Sequence, residues 1–271
     1  MVSTRLISGL LGGAIGIFLI LTGGIPLLLA AFVIAVAGLI EIRALFSRKG
    51  LSPDAWVMIP GGVLLLIAGY LNAGVYVVHV AALVILASLA TQLLRRGAYE
   101  ALAGASGTAF GTLYVGLPMA YLLMLRNLPG GAGYLMGALL AVWASDTGAY
   151  FGGMWLGRTR LWPRVSPNKT LEGSIIGICV AVLAVVLVNH LALASGWWSA
   201  LPVSHAVGLG VLLSLSGQLG DLCESALKRD AGVKDSGRFL PGHGGALDRF
   251  DSVLFAAPIA YYYIKFFVAV I

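Results

Sequence analysis

Gly173–Ala194 reads GSIIGICVAVLAVVLVNHLALA, a run of 22 residues without a charged side chain. As an α-helix it would be roughly 33 Å long, enough to cross the hydrocarbon core of a bilayer. It does not alternate apolar with polar residues, so it does not read as a strand of a membrane β-barrel. Similar stretches recur on both sides of it, at roughly 6–23, 25–45, 55–71, 75–94, 104–125, 131–153, 204–226 and 246–270. With 173–194 they make nine, and the expected fold is an all-α polytopic membrane protein of about nine transmembrane helices. Composition agrees: 59% of the 271 residues are hydrophobic and 10% are charged, against about 25% charged in soluble domains. The 37 glycines suit close helix packing in lipid. No stretch is polar or long enough for a separate soluble domain, so 1–271 is read as one integral membrane domain.

Number the loops alternately from the N-terminus. Of the 17 Lys and Arg residues, all but Arg126 and Lys265 then fall in the odd set. The positive-inside rule places the N-terminus in the cytoplasm and the C-terminus outside. Topology thus accounts for the net charge of +6, and nucleic acid is rejected as a partner. Met1–Gly24 has one base and no small-x-small cleavage site before the next apolar run at Pro26, and is expected to be an uncleaved first span. Cys179 and Cys223 form no C-x-x-C pair and read as reduced, membrane-buried thiols. Trp197 and Trp198, in an outer loop, read as interfacial belt residues.

Polar chemistry gathers late in the chain. Eight of the 11 acids lie at or beyond Asp146. Residues 1–140 therefore read as helical scaffold and 141–253 as the catalytic region. In the eighth segment, Ser214, Gln218, Asp221, Ser225 and Lys228 are spaced 4, 3, 4 and 3, one narrow stripe of a helix. The bland reading of that stripe is interhelical hydrogen bonding, but a carboxylate such as Asp221 in a membrane helix needs a partner or a metal. Asp248 and Asp251 share a face at the start of the ninth segment, behind the turn Pro241-Gly242-His243-Gly244-Gly245. A glycine-rich turn opening a helix exposes N–H groups suited to phosphate; capping acids are the plainer alternative. Three converging Asp would repel one another unless a cation bridged them, and Mg²⁺ with phosphate oxygens fits such ligands. Asp146 and Tyr150 share a face of the sixth segment. The loop after it carries Arg158, Arg160, Arg164 and Ser166-Pro167-Asn168-Lys169-Thr170-Leu171-Glu172-Gly173, whose hydroxyls, amide, Lys and Glu could hold a phosphate or a sugar. His243, between glycines, is a candidate donor beside phosphate-binding bases.

The run Ser225-x-Leu227-Lys228-Arg229-x4-Lys234-Asp235-x-Gly237-x2-Leu240-Pro241-x-His243-Gly244-Gly245-x2-Asp248-Arg249-Phe250-Asp251 resembles the signature of the phosphatidate cytidylyltransferases (CDP-diacylglycerol synthases). Ser166–Gly173 resembles that family's second motif, and Asp146-Thr147-Gly148-Ala149-Tyr150 is similar to it as well. Asn168 stands where a second Lys is common, Leu171 where Trp is common, and Ala246 replaces a larger aliphatic. The resemblance implies CMP transfer from CTP to phosphatidic acid, giving CDP-diacylglycerol and pyrophosphate with Mg²⁺. It implies a bacterial inner-membrane enzyme that forms a homodimer. A second, monovalent cation is left open. The expected roles are Asp221, Asp248 and Asp251 on the metal; Lys228, Lys234 and Arg249 on triphosphate or lipid phosphate; and Ser166, Lys169, Thr170 and Glu172 around the nucleotide. Asp221, Lys228, Asp248 and Asp251 form the catalytic set, and Ser225, Arg229 and His243 join the substrate-binding set. The alternatives are a CTP-dependent polyprenol or phytol kinase, which would release CDP, and a secondary transporter, against which the polar residues gather at one face.

Overall fold

A computed structural model describes residues 2–72, 74–96, 101–195, 201–237, 239 and 244–268. Among them run nine α-helices: α1 (Val2–Thr22), α2 (Gly24–Arg48), α3 (Ala55–Tyr70), α4 (Gly74–Arg96), α5 (Ala101–Arg126), α6 (Gly131–Leu156), α7 (Leu171–Ser195), α8 (Val203–Asp230) and α9 (Leu247–Phe267). Each coincides with an apolar segment of the sequence to within a few residues. By length and apolarity α2, α4, α5, α7 and α8 can each cross a membrane. Apolar side chains such as Trp56, Val75, Leu94, Leu102 and Leu183 are exposed, the surface that lipid rather than water stabilises.

The chain forms two compact units, residues 1–124 with 227–250 and residues 125–226 with 251–271. In the first, α2 packs on α3 and α3 on α4. Leu39, Met58, Leu65, Leu66, Met119 and Leu123 are buried there. A Cβ on Gly69 would lie 2.6 Å from the Ala120 carbonyl oxygen, so α3 and α5 meet backbone to backbone only because residue 69 is glycine. Asp54 caps α3 by accepting from Trp56 N at 2.9 Å and pairs with Arg95 at 3.1 Å. Lys49 pairs with Asp230 at 3.0 Å, and Arg43 Nε donates to Pro53 O at 3.1 Å. These contacts bring the ends of α2, α4 and α8 and the start of α3 to one end of the unit, as the alternation of bases requires.

In the second unit α6 and α7 pack along most of their length. A Cβ on Gly173 would lie 2.6 Å from the Ala149 carbonyl oxygen. Asn189 ties down the segment before α8, accepting from Leu201 N at 2.6 Å and donating to Leu201 O at 2.9 Å. The connection between α6 and α7, expected as an open loop, contains a small hairpin. Strand β1 (Arg160–Trp162) runs antiparallel to β2 (Ser166–Thr170), with Arg160 opposite Thr170 and Trp162 opposite Ser166. Its strands are too short and too charged to show a two-residue alternation. Glu172 closes its base, accepting from Arg158 N at 3.0 Å and Thr159 N at 3.1 Å, and Leu171 N donates to Thr159 O at 2.9 Å.

Candidate active site

The candidate residues fall into one group in each unit. In the first unit, the segment after α8 turns back to open α9. Gly232 (φ 71°) and Gly244 (φ 85°) hold left-handed backbone, which favours glycine. Asp248, in the first turn of α9, collects four donors. Lys228 Nζ donates to its Oδ1 at 2.6 Å. Ser236 N at 2.9 Å, Ser236 Oγ at 3.1 Å and Gly245 N at 2.8 Å donate to Oδ2. The Lys228 and Asp248 side chains are 11% and 8% exposed. An ion pair so withdrawn from water is costly unless its remaining groups are hydrogen-bonded, and Asp248 meets that condition. Arg229 Nη1 donates to Val233 O at 3.2 Å. Lys234 and Arg249 are exposed. His243 lies outside the described residues, as do Trp197 and Trp198.

In the second unit the polar stripe of α8 divides by role. Ser214 is fully buried and shares a hydrogen bond of 2.7 Å with Ser145 of α6. Gln218 Nε2 donates to Ser214 Oγ at 3.0 Å and Ser174 O at 3.2 Å, and its Oε1 accepts from Ser174 Oγ. That deep half is interhelical bonding between α6, α7 and α8, the bland reading of the stripe. The outer half is charged. Lys169 of β2 pairs with Asp221 at 2.7 Å, both about 30% exposed, and Ser225 Oγ donates to Asp221 Oδ1 at 3.3 Å. Thr170 is buried and its Oγ1 accepts from Gly173 N at 3.2 Å, while Ser166 stands half-buried in β2. The second motif thus carries one cation to an α8 carboxylate and uses Glu172 to hold its own base. Asp251 opens the α9 portion of this unit and accepts from Ser252 N at 2.6 Å.

Two participants were not singled out in the sequence. Ser236 is buried and bonds Asp248 twice. Glu41 of α2, 7% exposed, accepts from Ser236 Oγ, Ala246 N and Leu247 N. The signal for Glu41 was present: it is the lone acid in the 25 residues of α2, and a carboxylate inside an apolar span marks a functional position. Among the described residues no three His, Cys, Asp or Glu side chains are grouped to hold a metal ion.

The family model for the cytidylyltransferase family matches residues 3–267. The phosphatidate cytidylyltransferase of Bacillus subtilis (strain 168) is 34% identical over 274 residues, 97% of each chain. That of Staphylococcus aureus (strain COL) is 34% identical over 89% of this chain and 90% of its own. That of Staphylococcus epidermidis (strain ATCC 12228 / FDA PCI 1200) is 36% identical over the same shares. A helical membrane chain with buried Lys–Asp pairing in its most polar segment, matched from end to end by this family's model, belongs to the cytidylyltransferase family.

Proposed function

We propose that this enzyme transfers CMP from CTP to phosphatidic acid, releasing pyrophosphate and leaving CDP-diacylglycerol in the membrane. The observation that carries this reading is the chain-long likeness to phosphatidate cytidylyltransferases. An oxygen of the lipid phosphate attacks the α-phosphorus of CTP; the new P–O–P linkage forms as the bond to the β-phosphate breaks. The attacking phosphate is already anionic, so no strong general base is required, which suits a residue set of Asp, Lys and Arg. The protein's task is placement and charge: Lys228, Lys234 and Arg249 on triphosphate or lipid phosphate, with Arg229 and His243 beside them, and Ser166, Lys169, Thr170, Glu172 and Ser225 around the nucleotide.

Asp221, Asp248 and Asp251 are proposed to carry Mg²⁺. Carboxylate oxygens are the hard donors that ion takes, and it is commonly held by one or two carboxylates together with substrate phosphates rather than by an all-protein cage. When bound, the ion neutralises charge that develops on the phosphoryl oxygens. The proposed setting is the bacterial inner membrane, with the site on the cytoplasmic face, 141–253 as the catalytic region and a homodimer as the assembly.

Purified protein in detergent, given radiolabelled CTP and phosphatidate, should form labelled lipid and pyrophosphate only when Mg²⁺ is present. Release of CDP instead would identify a lipid kinase. Asp248→Asn and Asp251→Asn should each lower turnover by roughly a hundredfold or more. Near-normal turnover in either would remove that residue from the metal set.

A further inference from the structure

The buried Glu41 has no part in the reaction just described, yet its carboxylate sits at the hub of the segment that holds Asp248. Its Oε1 accepts from Ala246 N at 2.8 Å, and its Oε2 from Leu247 N at 2.9 Å and Ser236 Oγ at 2.8 Å. Ala246 and Leu247 stand at the start of α9, two and one residues ahead of Asp248. Ser236 in turn donates its N–H to Asp248 Oδ2. The Ser236 hydroxyl lies 2.8 Å from Glu41 and 3.1 Å from Asp248. It has one proton, so it satisfies one carboxylate at a time; Asp248 Oδ2 keeps its two backbone donors when the hydroxyl turns to Glu41.

Among the described residues, the three groups hydrogen-bonded to Glu41 are all donors. A carboxylate is acceptor-only and can meet them all; an amide cannot, because its NH₂ would face an N–H. The segment also wraps the carboxylate closely. A Cβ on Gly237 or on Gly245 would strike the Glu41 carboxylate, so both glycines of the signature follow from the position of an acid about 200 residues earlier in the chain. Burying a carboxylate in a membrane-length helix is expensive, and these three donors offset it.

We propose that Glu41 is a positioning residue of the transfer reaction, holding Ser236 and the first turn of α9 so that Asp248 and Lys228 meet in one fixed geometry. This rests on the reading of Asp248 and Lys228 as part of the catalytic centre. Residues that orient a reactive group through its hydrogen bonds typically cost tenfold to hundredfold when altered.

The test is Glu41→Gln in the full chain, purified in detergent, with kcat and KM measured per folded molecule beside a thermal midpoint and a size-exclusion profile. The expected result is a monodisperse protein whose kcat falls roughly tenfold to hundredfold. Glu41→Asp, one methylene short of the donors, should not restore it. Ser236→Ala should lower kcat by a smaller factor. The double variant should lose no more than Glu41→Gln alone, because both act through one contact. A Glu41→Gln enzyme with kcat within about twofold of the parent, or fully additive losses in the double variant, would overturn the proposal. If Glu41→Gln gives no folded protein, Ser236→Ala decides, and an unchanged kcat there overturns it. Asp248→Asn measured alongside separates the two ideas. An inactive Asp248→Asn with an active Glu41→Gln defeats this inference alone. An active Asp248→Asn defeats the reading of the site and this inference with it.

Discussion

The pairs Lys228–Asp248 and Lys169–Asp221 differ in burial, and that difference decides what a substitution at each can teach. The Lys228–Asp248 side chains are about 10% exposed. Removing either partner leaves a charge stranded away from water, at a cost of about 3–5 kcal/mol. Lost turnover in Lys228→Met would therefore mix chemistry with folding. Lys169–Asp221 is roughly three times more exposed, and a pair of that kind contributes about 1 kcal/mol or less. Lys169→Met should therefore leave the thermal midpoint nearly unchanged. If Lys169 contacts the nucleotide, kcat/KM for CTP should fall by roughly a hundredfold, about 2.7 kcal/mol of lost transition-state stabilisation. Steady-state kinetics with CTP varied, beside a melting curve, checks this. An unchanged kcat/KM would leave Lys169 as an ion-pair partner and nothing more.

At the scale of elements, the helices were legible because an apolar run of membrane length has few alternatives. The charged residues worth naming were also legible, since a charge in a greasy chain needs a reason. Their partners were not. Nothing local to Asp221 announces Lys169 some 50 residues earlier, and nothing local to Ser236 announces Glu41. The β1–β2 hairpin was hidden for a similar reason: three and five residues with Arg, Pro and Lys carry no period, and the closure lies in Glu172, just beyond the strands. Glu172→Gln replaces one accepting oxygen with a donor facing the N–H groups of Arg158 and Thr159. Losing one such bond loosens the base of the hairpin. The hairpin carries Ser166, Lys169 and Thr170, so the loosening should appear as a KM for CTP raised roughly fivefold, with kcat and melting little changed. A KM equal to the parent's would take the hairpin out of the nucleotide pocket.

For the whole molecule the open question is which face of the bilayer holds the chemistry. The segregation of bases is strong, with only Arg126 and Lys265 of 17 in the minority loops. The ion pairs Lys49–Asp230 and Arg95–Asp54 gather four chain segments at one end of the first unit, the end on which that segregation puts the bases. Charge bias orients membrane proteins because moving bases across the bilayer during insertion is unfavourable, so the base-rich end should stay in the cytoplasm. The substrates require the same answer, because CTP is made and kept inside the cell. Cysteine labelling can check it after Cys179 and Cys223 are replaced by Ala. Asn127→Cys stands beside Arg126 in a minority loop, and Arg164→Cys lies in the turn between β1 and β2. In right-side-out membrane vesicles a membrane-impermeant maleimide should modify Asn127→Cys at once. Arg164→Cys should react only after the vesicles are opened. The reverse pattern would put the proposed site on the outer face, away from its nucleotide, and the reaction assigned to it could not be the one the cell uses.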